Sequence, residues 1–213
     1  MLLGLALIAG PSLVSSPGLA EAKPAVKLSK VFPFLDKYLA LPGAERNHFT
    51  LTYRFLADGK PAAGLKAVII EADGRRMPLT FTAEGRPSRL PTSAELNSAS
   101  FQAETDAATK LGVQMDILPL LPLTPEYRVS ELDLAINQTN AGIAKSAGML
   151  GFAAPKMNGI VFLGAGAGRA KLSNGKELIL PVVKGASVYD PKVIVGAISI
   201  QLVKVPSRLD FKD

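Results

Sequence analysis

The sequence predicts an α+β fold that is β-rich, with antiparallel, sandwich-like sheets, one long helix over about 131–147 and a short N-terminal helix over about 30–41. Several runs alternate between apolar and polar residues, which is typical of half-buried strands. Asp-Gly or Asn-Gly pairs join neighbouring runs, and such pairs favour antiparallel hairpins. Strands and helices do not alternate regularly along the chain, which argues against a doubly wound parallel sheet.

Residues 1–22 have the pattern of a secretory signal peptide. An apolar run is followed by small residues that end in Ala20-Glu21-Ala22, an A-x-A cleavage site. Glycine, serine and proline interrupt the run well short of the ~20 apolar residues that span a bilayer, which disfavours the alternative of an uncleaved anchor. We therefore expect cleavage after Ala20 or Ala22, and a periplasmic or secreted protein without a transmembrane segment.

The short N-terminal helix is predicted from apolar residues that recur at helical spacing between 30 and 41. Pro33 falls in its first turn, where proline is tolerated. Ser29 is expected to be the N-cap residue, and Pro42-Gly43 is expected to end the helix.

Strands dominate the segment that follows. Apolar and polar residues alternate from His48 to Phe55, and further strands are predicted at 65–72 and 75–82. Asp73-Gly74 joins the last two, and we expect it to be the tip of a type I′ hairpin. Turns are also predicted at Asp58-Gly59 and Glu84-Gly85.

The next segment predicts a short helix and a further strand pair. Pro91-Thr92-Ser93 is expected to begin the helix. Strands at 98–104 and 110–117 are expected to pair with each other, with Phe101 and alternate residues of the second strand facing the core. Those alternate residues are Leu111, Val113, Met115 and Ile117.

Three prolines between 118 and 125 exclude a helix interior or a central strand there. We expect residues 23–213 to form a single exported domain, and this segment is the candidate boundary between two subdomains at about 44–118 and 126–206.

The long helix follows the proline-rich segment. Ser130 is expected to cap it, Glu131 and Asp133 to complement the helix dipole in its first turn, and Gly148 to end it. Its apolar face is predicted to consist of Leu132, Ala135, Ile136, Ile143, Ala144 and Ala147.

The remainder of the chain again predicts strands. A short buried strand is expected at 160–163, and a hairpin at 169–183 with a type I′ turn at Asn174-Gly175. The β-branched stretch 193–205 predicts a long final strand, and 208–213 a charged tail.

Composition excludes several kinds of chemistry. The chain has no cysteine, which excludes thiol catalysis and cysteine-ligated zinc, and its one histidine, His48, cannot supply two ligands to a zinc ion. His48 has no identifiable nucleophile or orienting acid near it in the sequence. We predict no catalytic residue, no cofactor and no metal site.

The net charge is +6, which favours anionic partners. Lysines and arginines form no run of five and are not interleaved with aromatic residues, so nucleic acid is not expected as a partner. An anionic component of the cell envelope, or another envelope protein, is the expected partner.

Three sets of residues are candidates for a site. The glycine-rich stretch 164–168 follows a strand as a phosphate loop would, but another strand follows it, so a tight bend is expected. Ser173 and Lys176 have the S-x-x-K spacing of penicillin-recognising enzymes, but an Asn-Gly turn separates them. The third set, predicted to lie in loops as a surface site, consists of Tyr127, Arg128, Tyr189 and Asp190.

The leading hypothesis is a non-enzymatic binding or structural module with a mildly basic surface. The first alternative is a hydrolase that depends on carboxylates or on a serine, which two carboxylates in one cleft, one with a raised pKa, would favour. The second is a carrier of small apolar ligands, with a pocket between the long helix and a sheet.

Overall fold

The computed structural model describes residues 21–106, 108–147 and 155–213. Most of the predicted signal peptide and the predicted helix end at Gly148 therefore lie outside the described residues.

The described part of the chain is strand-rich, with four antiparallel sheets, one long helix and several short ones, which confirms the predicted β-rich α+β class. The α-helices are α1 (Leu28–Val31), α2 (Leu35–Ala40), α3 (Ser93–Ser98) and α4 (Val129–Ala147). The strands before α4 are β1 (Glu21–Ala22), β2 (Val26–Lys27), β3 (Phe49–Ala57), β4 (Lys60–Pro61), β5 (Lys66–Ile70), β6 (Arg76–Leu79), β7 (Ser100–Thr105), β8 (Leu111–Pro119) and β9 (Glu126–Arg128). The strands after it are β10 (Gly159–Leu163), β11 (Gly168–Leu172), β12 (Glu177–Ile179), β13 (Val182–Val183), β14 (Ala186–Tyr189), β15 (Ala197–Leu202) and β16 (Arg208–Lys212).

In the first sheet the strand order is β1-β7-β5-β6, and β2 also pairs with β7. The other three sheets have the orders β4-β3-β8, β12-β11-β15-β9 and β13-β14-β10-β16. The predicted pairing of strands 98–104 and 110–117 is wrong, because β7 pairs with β5 while β8 pairs with β3 along all nine residues. The equal lengths of β3 and β8 let every residue of one strand find a partner in the other. Val113, predicted to face the core, is exposed.

The predicted helix over 30–41 is two helices, because the chain breaks at Phe32-Pro33-Phe34. Proline disfavours the helical conformation of the residue before it, and Phe34 takes a left-handed conformation with φ 63°. The break serves the core: Phe32 packs on the rings of Tyr53 and Phe55, and the Tyr53 hydroxyl donates to the Pro33 carbonyl at 2.6 Å. Ser29 is not the N-cap, since it lies within α1, whose N-cap is Lys27.

The hairpins at Asp73-Gly74 and Asn174-Gly175 are present, but their predicted type I′ geometry is wrong. In both, only the glycine has positive φ, 86° and 81°, and three residues form the loop. The Asp73 and Asn174 side chains each accept the backbone N–H two residues later, at 3.0 Å, which stabilises this alternative. Two-residue turns with positive φ at both positions occur at Asp58-Gly59 and Lys184-Gly185.

The predicted start of the short helix at Thr92-Ser93 is confirmed by a capping box between Thr92 and Glu95. Helix α4 begins at Val129, so Ser130 lies inside it rather than capping it. Its buried face includes Leu132, Ala135, Ile136 and Thr139, whereas Ala144 is exposed.

The predicted final strand over 193–205 is wrong in extent. Backbone amides of Val193 and Ile194 donate to the Asp190 carbonyl, and Gly196 has φ 78°, so the strand begins only at Ala197. The predicted charged tail is strand β16, which pairs with β10 and buries Leu209. Its charged residues alternate with apolar ones, the pattern of a half-buried strand.

Two hydrophobic clusters form the core. The first contains buried residues between Leu28 and Ala103, and the second contains those between Tyr127 and Leu209. Ile117 and Phe211, both partly buried, pack against both clusters and so join them.

Replacing Gly74 or Gly175 by valine is expected to lower the free energy of unfolding by about 1 kcal/mol or more, because a β-branched residue resists positive φ. A Cβ added at either position would have no atom within 4 Å, so the cost is conformational rather than steric. Urea midpoints measure it, with Gly112→Val in β8 as the control, since that glycine has ordinary strand φ and free space. Equal midpoints for all three variants would contradict the assignment.

Glu95 is expected to make stability depend on pH. Hydrogen bonds from the Arg89 guanidinium at 2.7 and 2.9 Å, opposed by burial and assisted by Thr92, lower the pKa of Glu95 to about 2. Because this pKa lies below the ordinary 4.5 of an unfolded chain, the stabilisation is complete above pH 4.5 and disappears as the pH falls towards 2.

Glu95→Gln should lower the free energy of unfolding by on the order of 2 kcal/mol at pH 7, a value reduced to allow for the partial exposure of Arg89. It should also remove most of the dependence of stability on pH between about pH 2 and pH 4.5. Urea unfolding across pH measures this, with Glu104→Gln, at an exposed carboxylate, as the control. A Glu95→Gln profile parallel to the wild-type one would contradict the prediction.

Candidate functional site

The four surface-site candidates do not form a surface site together. Tyr127 and Tyr189, predicted in loops, lie in strands β9 and β14 and are 2% and 1% exposed. Arg128 is exposed on β9, and Asp190 is buried at the end of β14. None of these four residues is part of the lining of either cleft described below.

Tyr189 and Asp190 belong to a polar network between α4, β14 and β16. The Tyr189 hydroxyl donates to Asp133 at 2.7 Å, and Lys212 donates to Asp190 at 2.9 Å. Burial and the Asp133 carboxylate raise the pKa of Tyr189. Burial raises the pKa of Asp190, but hydrogen bonds from Lys212 and the Lys192 amide outweigh it, so that pKa is lowered. These groups satisfy one another and hold the elements together.

The other sequence motifs are structural. In the glycine-rich stretch, Ala165 is fully buried and the carbonyls of Ala165 and Ala167 accept amides of Lys204 and Val203, so the stretch is a packed bend. Ser173 lies in the three-residue hairpin loop and Lys176 directly follows it, so the two do not share a helix face. The His48 ring forms a hydrogen bond with the Asn47 side chain at 2.7 Å.

A cleft of about 430 Å³ lies between the outer face of β3 and β8 and the edge strand β16, within the size range of ligand pockets. Its polar and charged lining consists of Arg54, Arg86, Gln114, Asp116, Arg208, Asp210 and Asp213. Its apolar lining consists of Met115, Ile117, Leu118, Pro155, Met157 and Phe211. We call it the arginine cleft.

Strand alternation places Arg54 in the arginine cleft. Thr52 and Arg54 face away from the first hydrophobic cluster, which buries their neighbours Leu51, Tyr53 and Phe55. Register pairs Thr52 with Asp116 and Arg54 with Gln114, so these side chains share one face of the sheet. Arg54 reaches Asp116 at 3.4 Å, and Gln114 donates to the same carboxylate at 3.0 Å.

Gly85 positions the second arginine. The Phe55 amide donates to the Gly85 carbonyl at 2.8 Å, and a Cβ at Gly85 would lie 2.4 Å from the Phe55 carbonyl oxygen. Only glycine therefore allows the turn to approach β3 this closely. Arg86 follows directly, donates to the Thr52 hydroxyl and lies 3.6 Å from Asp116.

Strand β16 supplies the third arginine. Arg208 donates to Asp210 through two hydrogen bonds of 2.8 and 2.6 Å, a bidentate pair, which raises the pKa of Arg208. Phe211 follows on the same strand, and Met157 is anchored nearby by two hydrogen bonds between its backbone and the Asn140 side chain.

The arginine cleft has more donors than its protein acceptors use. Each guanidinium carries five N–H groups, and the Nε of Arg54 is buried without a hydrogen-bond partner among the described residues. A buried donor without an acceptor costs about 1–3 kcal/mol. Arg54, which lines the cleft, therefore keeps one donor that no described residue satisfies.

A second cleft, of about 310 Å³, lies between the β5–β6 hairpin and α3. Its charged groups are already paired: Arg75 with Glu71 and Asp73, and Glu95 with Arg89. It therefore offers no unpaired donor comparable to that of Arg54.

Comparison with family models, with curated proteins and with solved structures finds no match to this chain. Within residues 21–106, 108–147 and 155–213, no three potential metal-ligating side chains cluster in a way that would hold an ion. None of the helices in these ranges is long and apolar enough to cross a membrane.

Sequence reasoning did not find the arginine cleft. Its signal was present, because Arg54 and Asp116 occupy polar positions within two alternating strands. The strand that contains Asp116 was predicted to pair with strand 98–104, whereas it pairs with the strand that contains Arg54. With the predicted pairing, the two residues could not be placed on the same face of one sheet.

The Gln138 side chain, not the His48 ring, is expected to stabilise this part of the fold. The His48 amide donates to Gln138 Oε1 at 2.7 Å, and Gln138 Nε2 donates to the Ala44 carbonyl. Gln138→Leu should cost about 0.5–1.5 kcal/mol, the net contribution of an ordinary hydrogen bond, because both bonds are at least partly accessible to water. His48→Ala should change stability by no more than about 0.5 kcal/mol.

Urea midpoints compare the two variants, and complementation of a deletion strain tests whether His48 has a catalytic role. A folded, exported His48→Ala protein that fails to complement would contradict the non-enzymatic interpretation.

Proposed function

We propose that this protein is a non-enzymatic binding module of the cell envelope, and that it holds an anionic group of an envelope component in the arginine cleft. The observation that carries the proposal is the buried Nε–H of Arg54, which has no acceptor among the described residues. Arginine is the side chain best suited to carboxylate and phosphate, because its donors form a rigid fork.

The arginine cleft supports binding of an anion better than either alternative. Its apolar wall suits part of a carrier site, but a purely apolar ligand would leave the free arginine donors without acceptors, which is costly. The carboxylates of Asp116 and Asp210 also line the cleft, but each has arginine partners: Asp116 contacts Arg54 and Arg86, and Asp210 contacts Arg208. This differs from the free acid and base pair that a carboxylate-dependent hydrolase needs.

The proposed location is the periplasm or the exterior of the cell. The signal-peptide pattern of residues 1–22 supports it, and the net charge of +6 would draw the protein to anionic envelope surfaces. Nucleic acid and cofactors are not part of the proposal.

Isothermal titration with hexyl phosphate, inorganic phosphate and hexanol tests the proposal. Hexyl phosphate should bind most tightly, because it meets both walls of the cleft. The protein is taken from the envelope fraction of expressing cells, and its intact mass reports whether residues 1–20 or 1–22 have been removed.

Arg54→Met should weaken hexyl phosphate binding about tenfold or more, since hydrogen bonds to charged groups contribute about 1.5–3 kcal/mol. Arg128→Met, at an exposed arginine outside the cleft, is the matched control and should change the affinity less than about twofold. Equal effects of the two substitutions, or release of inorganic phosphate seen by ³¹P NMR, would contradict the proposal.

A further inference from the structure

Four exposed valines lie around the bend at 164–168. Val182 and Val183 form strand β13, and Val203 and Val205 follow β15; their exposed fractions are 60%, 48%, 71% and 52%. Isolated exposed apolar side chains are ordinary, but a group of them indicates an interaction surface.

Contacts with the bend at 164–168 place one valine pair on each side of it. Val182 pairs in register with Ser187, and the Ser187 hydroxyl donates to the Gly166 carbonyl at 2.7 Å. A Cβ at Gly166 would lie 3.8 Å from the Cβ of Val203, whose amide donates to the Ala167 carbonyl at 3.0 Å. The bend at 164–168 therefore lies between them. We call Val182, Val183, Lys184, Val203, Lys204 and Val205 the valine–lysine patch.

The charge of the valine–lysine patch is uniformly positive. Lys184 lies at the tip of the β13–β14 turn and Lys204 lies between two of the valines; both are exposed and neither forms an ion pair with a described residue. No acidic residue occurs in the three segments that build the patch, 163–168, 181–187 and 202–207.

We infer that the valine–lysine patch docks on the surface of an anionic lipid bilayer. Apolar side chains flanked by lysines match the two layers of such a surface, because valines enter the boundary of the acyl region while lysines remain among the anionic headgroups. Charge complementarity selects lipid over an uncharged apolar partner. The inference uses no residue of the arginine cleft and stands independently of it.

Vesicle co-sedimentation with the exported, full-length product tests the inference. The protein should sediment with vesicles of phosphatidylcholine mixed with phosphatidylglycerol, and much less with phosphatidylcholine alone. Added salt should weaken the binding, because headgroup charges are screened. Absence of binding to the mixed vesicles would overturn the inference.

Two pairs of variants locate the contact. Lys184→Gln with Lys204→Gln should weaken binding at least tenfold, since each lysine near an anionic surface contributes about 1 kcal/mol, or about fivefold. Val182→Ser with Val203→Ser should weaken it as strongly, by removing the inserted side chains. Unchanged thermal unfolding midpoints confirm that the variants fold.

The matched controls lie at the opposite end of β11. Val193 and Val195 are also exposed, but the carbonyl of Gly196 beside them accepts the Ser173 amide, and Ser173 lies about 16 Å along the chain from Gly168. Val193→Ser with Val195→Ser, and Lys171→Gln with Lys176→Gln, should change binding less than twofold. The inference would be overturned if the control variants lost as much vesicle binding as the patch variants. It would also be overturned if the valine substitutions changed the oligomeric state of the protein and left vesicle binding unchanged.

Discussion

The fold depends on polar side chains of α4 that reach backbone groups on both sides of the helix. Gln138 bonds to the backbone at Ala44 and His48, before β3, while Asn140 forms two bonds with the backbone of Met157, before β10. Asp133 and Lys145 add contacts to Tyr189 and Glu45. The chain has no cysteine, so these contacts, with the apolar burial around Ile117 and Phe211, hold the two hydrophobic clusters together.

The arginine cleft is a consequence of that arrangement. Strand β3 buries one face in the first cluster, which leaves Thr52 and Arg54 on its other face. Strand β16, a strand of the second half, packs beside β8 and brings Arg208 to the same face. The charged wall therefore comes from both halves of the chain, and the site exists only when they are packed together.

Local patterns in the sequence predict the elements well where local physics decides them. Alternation identifies β3, and capping chemistry identifies the start of α3. The errors arise where distant residues decide. Nothing local to residues 110–117 indicates that β3 is their partner, and the break at Pro33 is stabilised by Tyr53 and Phe55, about 20 residues later.

The same limit applies to the candidate site residues. Tyr127 and Tyr189 stand out in the sequence as aromatic residues next to charged ones, yet the fold buries both. Arg54 occupies an ordinary polar position of a strand, and it lines a cleft only together with Arg86, Arg208 and Asp116, which come from three other segments. The order of charges along the sequence does not show that these four residues are close in space.

If the arginine cleft binds an anion as proposed, we expect the unpartnered Nε–H of Arg54 to respond to that ligand. The most direct measurement is the NMR resonance of this Nε–H group during titration with an alkyl phosphate. We expect a large downfield shift of this proton and slowed exchange with water, while the Nε–H resonance of the exposed Arg128 stays unchanged. An Arg54 resonance that does not move while the phosphate binds elsewhere would contradict the proposed role of the cleft.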